Sequence, residues 1–93
     1  MLSYLMNNFN NSKIVFVAGI HGDEQIPVSA FQESGIEFIL GNPRAYERKV
    51  RFTEQDLNAS FGISDESYET MRAAEILEEI GEDSLVVDFH TTT

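Results

Sequence analysis

The chain contains no cysteine. That absence excludes a disulfide framework, a thiolate nucleophile and a cysteine-ligated zinc finger, so any metal site must be built from histidine and carboxylates. Bases are scarce as well. Six Lys and Arg stand against sixteen Asp and Glu, giving a formal net charge of −10 over 93 residues. Gripping nucleic acid by its phosphates needs a basic footprint, and an anionic membrane selects the same sign, so neither is an expected partner. No stretch approaches the ~20 apolar residues of a membrane span. The opening segment lacks the basic start and sustained apolar run of a signal peptide, which leaves a cytoplasmic location as the default expectation.

What is present suffices for a modest core. Apolar residues make up 42% and aromatics 11%, and the length suits one small domain with a thin stability margin. Residues 1–12 are polar and Asn-rich and read as a loosely held leader; residues 13–93 read as the domain. Lys13 to Ala18 (KIVFVA) is a β-branched and aromatic run, expected as a buried strand. A helix is expected from Ile26 to Glu33, with Pro27 in its first turn and Gly35 ending it. Ile36 to Leu40 reads as a second strand, closed by Gly41-Asn42-Pro43. Val50 to Phe52 reads as a third, very short one, and Asp56 to Ile63 as irregular or a single helical turn. A helix capped by Ser64 or Asp65 should reach Ile80, burying Tyr68, Met71, Ala74, Leu77 and Ile80. Ser84 to Phe89 (SLVVDF) is the last strand. Strands alternating with helices predict an α/β sandwich on a mainly parallel sheet.

Two short segments carry candidate chemistry. His21-Gly22-Asp23-Glu24 lies just past a strand's carboxyl end, where ligands bind in open α/β sheets. Gly22 lets that turn bend, so His21 and Glu24 can converge on one ion; a plain surface turn is the competing reading. Asp88 and His90, two apart on a strand, share a face. Asp88 either orients a metal-bound His90 or simply bonds it at a wet strand end. The chain has only two histidines, and both follow predicted core strands. Two His and one Glu form a complete catalytic zinc set with a fourth position for water. Zinc there would bring the water's pKa to roughly 7 and polarise a carbonyl, which points to amide or ester hydrolysis. A local basic cluster, Arg44, Arg48, Lys49 and Arg51, holds four of the six bases. Arg51 is the candidate for a site role, with Asp56 to orient it and Asn58 to donate an amide to substrate; the other three read as solvated.

Four segments in order, GIHGDE at 19–24, GNPRA at 41–45, RFTEQDLNASF at 51–61 and VDFHT at 87–91, resemble the succinylglutamate desuccinylase and aspartoacylase family of zinc carboxypeptidase-like hydrolases. The resemblance implies a three-layer α/β sandwich, around a mainly parallel or mixed sheet, like the amino-terminal half of such a domain. It implies that His21, Glu24 and His90 bind Zn2+, that Arg51 polarises the scissile carbonyl, that Asn58 binds substrate and that Asp56 supports Arg51. Ala59 stands where the family has an arginine that pairs with the substrate's carboxylate.

The expected function is zinc-dependent hydrolysis of an amide or ester bond in a small acylated amino acid or related compound. The alternative is a non-catalytic metal-binding or interaction module, because the family's general base lies well downstream of the third ligand and only three threonines follow His90. A second copy or a second polypeptide completing the site is the matching expectation for partners.

Overall fold

The computed structural model describes residues 2–4 and 13–91. Its elements in chain order are β1 (Leu2–Tyr4), β2 (Lys13–Ala18), α1 (Gln25–Ser34), β3 (Ile39–Leu40), α2 (Pro43–Arg48), a 3-10 turn (Leu57–Ala59), α3 (Tyr68–Ile80) and β4 (Ser84–Phe89). The strands form one mixed sheet in the order β1-β4-β2-β3. β2 is parallel to both neighbours, and β4 pairs with it from Lys13↔Ser84 to Ala18↔Phe89. Within the expected leader, Leu2–Tyr4 pairs antiparallel with β4 and covers the edge that β4 would otherwise present to solvent; residues 1 and 5–12 of that segment lie outside the described residues.

Partners across parallel strands point to the same face, and successive residues alternate between faces. Val15 and Val17 therefore join Val86 and Ile39 on one side, where Ala73 and Ile76 of α3 and Leu57 pack against them. Phe16 and Ala18 join Phe89 on the other, against Val28 and Phe31 of α1. The domain is an α/β sandwich with helices on both faces of the sheet. Phe31 is the hub of the α1 side: its ring lies 5.0 Å from Phe89 edge-on, 5.1 Å from Phe38 in a stack and 5.6 Å from Phe16. Each such pair adds about 0.5–1.5 kcal/mol beyond simple burial.

Several local expectations are revised. α3 buries Glu69, Thr70, Ala73 and Ile76, whereas Met71 and Leu77 are 63% and 52% exposed. Residues spaced by three drift by about 60° per step on a helix of 3.6 residues per turn, so the expected stripe winds around the helix. Steps mixing three and four, as in 69, 73, 76 and 80, hold one face to the sheet. The cap is Ser67, which accepts from the Thr70 amide. Gly41-Asn42-Pro43 ends β3 but also starts α2, because Asn42 accepts from the Ala45 amide at 3.1 Å and Pro43 fits the first helical position. Val50 to Phe52 forms no strand. Lys49 takes a left-handed conformation at the end of α2, and the Val50 amide donates back to the Ala45 carbonyl of that helix at 3.0 Å. Strand β3 shortens to Ile39–Leu40, the two residues that find partners on β2.

Candidate metal centre

β2 and β4 run side by side and end together at Ala18↔Phe89. The residues just past the two strand ends are thereby brought to one place. After β2, Gly19 turns with a positive φ of 78°, and Glu24 becomes the residue that enters α1. The Glu24 amide donates back to the His21 carbonyl at 3.1 Å, so both side chains leave one tight turn. Gly22 does not occupy the left-handed region. Its role is close approach: an added Cβ would sit 2.5 Å from the Ala45 carbonyl oxygen of α2 and nearer still to its carbon.

The His21 Nδ1 lies 2.5 Å from Glu24 Oε2, and the His90 Nδ1 lies 3.5 Å from Glu24 Oε1. Donor atoms of all three residues fall within 4.8 Å of one another, and these spacings bracket the ~3.3 Å that separates ligands on a tetrahedral zinc. The outer ring nitrogens are both engaged by carboxylates. The His21 Nε2 meets Asp56 Oδ1 at 3.0 Å, and the His90 Nε2 meets Asp88 Oδ2 at 2.7 Å. With an ion bound at Nδ1, a carboxylate at Nε2 would keep the ring proton there, the arrangement that supports metal-ligating histidines.

Burial alone would raise the Glu24 pKa. The Thr91 amide at 2.5 Å, the hydrogen bond to His21 and the charges of His90 and His21 more than offset it, so the carboxyl lies below its ordinary range. Glu24, Asp56 and Asp88 crowd three carboxylates around His21 and His90, with His21 only 6% exposed. Once the imidazoles are neutral, a divalent cation would balance those carboxylates, and the donor set of two imidazoles and a carboxylate fits zinc.

Asp56 does more than the sequence assigned to it. Its Oδ2 lies 3.7 Å from Arg51 Nε while its Oδ1 holds His21, so one carboxylate spans both residues. Arg51 sits beside the centre with a side chain 56% exposed, and its carbonyl accepts from the Gly22 amide at 3.1 Å. Asn58 is exposed on the 3-10 turn and lines a cavity of about 210 Å³, together with Asp88 and apolar residues including Val17, Ile20 and Phe61. Asp88 Oδ1 is buried without a hydrogen-bond partner among the described residues. Arg44 is drawn elsewhere, to Glu54 at 3.5 Å and over the Tyr68 ring at 4.8 Å; Arg48 and Lys49 are exposed.

Sequence reasoning missed Glu69. It is fully buried, yet its carboxylate receives the Asn42 amide, the Thr53 amide and hydroxyl, and the Glu54 and Gln55 amides, all at 2.9–3.1 Å. An acid in the first turn of a helix reads as an exposed dipole partner, and nothing in its spacing signals those distant donors.

Fold and site together define an α/β domain whose paired parallel strands end in a His–Glu–His group able to hold a metal ion. The model of the succinylglutamate desuccinylase/aspartoacylase catalytic domain matches residues 10–93, and the chain belongs to that family. It is 41% identical over 99 residues to a probable aspartoacylase of Prochlorococcus marinus, covering 87% of this chain and 34% of the relative. It is 38% identical over 106 residues to an N-acyl-aromatic-L-amino acid amidohydrolase (carboxylate-forming) of Xenopus tropicalis, covering 88% and 34%. Among solved structures, a Vibrio parahaemolyticus succinylglutamate desuccinylase superposes with a TM-score of 0.59 at 26% identity, over 84% of this chain and 33% of that one. The chain spans about a third of the length of the curated relatives it matches. Among the described residues, no helix is long and apolar enough to cross a membrane.

Proposed function

We propose that the chain carries the zinc-binding part of an amide hydrolase acting on a small N-acylated amino acid. One observation carries the reading: two Nδ1 atoms and the Glu24 carboxylate converge while Asp56 and Asp88 hold both Nε2 atoms. The names of the relatives, an aspartoacylase and an N-acyl amino acid amidohydrolase, support the substrate class. His21, Glu24 and His90 would hold the ion, which would supply Lewis-acid polarisation of the scissile carbonyl and acidify water. Arg51, tethered through Asp56, directs a guanidinium at the oxygen that gains charge. Asn58, at the rim of the cavity beside Asp88, offers an amide to the substrate.

The test is zinc content by elemental analysis of the wild-type chain and of the His21→Ala, His90→Ala double variant. One zinc per wild-type chain and none in the variant is expected; metal in neither overturns the proposal. Amine release from a panel of N-acyl amino acids then separates the two functional readings. Zinc uptake without metal-dependent release favours the non-catalytic metal-binding module over the hydrolase.

A further inference from the structure

We propose that Glu69 is the positioning residue of the metal centre, fixing the segment from Thr53 to Asp56 so that Asp56 meets the Nε2 of His21. The inference rests on the metal-binding reading above. Residues 51–56 belong to no helix or strand, so their placement must come from other contacts. At the start of the segment, the Arg51 carbonyl takes the Gly22 amide. In its middle, three consecutive amides, of Thr53, Glu54 and Gln55, point at the Glu69 carboxylate at 2.9, 3.0 and 3.1 Å. The next residue is Asp56, with one oxygen on His21 and the other beside Arg51. Glu69 is also bound to the strand ends. Asn42 donates to it at 2.9 Å while the Asn42 amide donates to the Gly19 carbonyl at 2.8 Å. A buried anion on the rigid first turn of α3 thus ties the Asp56 segment to the turn that carries His21. Glu69 bonds none of the three candidate ligands, its partners being Asn42, Thr53, Glu54 and Gln55, so its effect on the centre runs through Asp56.

The experiment is a double-mutant cycle on zinc affinity, measured by competition with a chromophoric chelator on the 93-residue chain. Glu69→Gln places an amide NH2 against donors that need an acceptor. It is expected to weaken zinc binding about 10-fold, the scale of a lost partner behind a ligand. Asp56→Asn is expected to weaken it at least as much, and the double variant no more than Asp56→Asn alone. A Glu69→Gln chain with lowered thermal stability and unchanged affinity, or additive losses in the double variant, overturns the inference. If Glu69→Gln does not fold, Thr53→Val, which deletes only the hydroxyl bond to Glu69, enters the same cycle under the same criteria. A metal-free readout separates this inference from the zinc reading. With Glu24 at Nδ1 and Asp56 at Nε2, the metal-free His21 ring should show a hydrogen-bonded, slowly exchanging Nε2–H in the wild type and a faster-exchanging one in either variant. An unchanged Nε2–H exchange rate counts against Glu69 even if the wild-type chain takes up no zinc, a result that would sink the metal reading alone.

Discussion

Replacing Gly22 with alanine adds one methyl group where two stretches of backbone touch. The new Cβ would lie 2.5 Å from the Ala45 carbonyl oxygen and closer to the Ala45 carbon and Tyr46 nitrogen, against the ~3.5–4.0 Å of comfortable carbon contacts. No flexible side chain can swing aside, so the His21 turn and α2 must part by roughly 1 Å or more. That separation strains three hydrogen bonds: the Gly22 amide to Arg51 O at 3.1 Å, and Gln25 Nε2 to Gly22 O at 2.9 Å and to Tyr46 O at 3.2 Å. Overpacking costs about 1–3 kcal/mol and each lost bond about 0.5–1.5 kcal/mol net, which puts the total at about 3 kcal/mol or more. A domain of this size has roughly 5–15 kcal/mol in all. At about 4–8 °C per kcal/mol, the melting temperature should fall by at least ~12 °C. Circular dichroism melts of wild type, Gly22→Ala and Gly35→Ala make the measurement. Gly35 has open space for a Cβ but a φ of 73°, so its alanine variant should lose only about 1–2 kcal/mol from left-handed strain. A Gly22→Ala melt as mild as that of Gly35→Ala would refute the close-approach argument.

Two further outcomes are expected. Asp88→Asn removes the anion at His90 Nε2 and should weaken zinc binding about 10- to 100-fold; equal affinities by chelator competition would show that Asp88 does not orient the ring. Burial would raise the Glu69 pKa, but the Thr53, Asn42 and Gln55 donors bring it down from 4.5 to about 2. A depressed carboxyl pKa stabilises the fold above pH 4.5, and that contribution, of about 3 kcal/mol, is lost as the pH falls through about 2. Urea titrations should therefore show the gap between wild type and Glu69→Gln constant near neutrality and shrinking between those limits. A gap that stays flat down to pH 2 is the contrary result.

Legibility in the sequence tracked the range of the interactions. The β-branched runs of β2 and β4 announce themselves locally, and both histidines could be placed because each directly follows one of those runs. Asp88 was found by a spacing of two. The link between Asp56 and His21 spans 35 residues and obeys no periodicity, so Asp56 was expected only beside Arg51. Glu69 was invisible for the opposite reason: an acid on a charged helix is ordinarily solvated, and only the tertiary fold supplies donors that let it go under. The face of α3 was misjudged because regular spacing by three looks amphipathic on paper yet winds around a real helix. The α2 helix was lost to a dual signal, Asn-Pro ending one element while beginning the next.

The parallel register of β2 and β4 has a consequence for the order of events in folding. The Thr91 amide that braces Glu24 comes from 67 residues away, and His90 immediately precedes it. No early helix or hairpin can assemble the three donors, because loop closure over that span must come first. On the metal-binding reading, capture of the ion would be a late checkpoint: an ion added to the unfolded chain would meet single histidines, and the full donor set exists only once the two strands have found their register. A slip of one residue would displace His90 by about 3.3 Å and turn Asp88 to the opposite face, so the ion would also act as a proofreader of strand alignment.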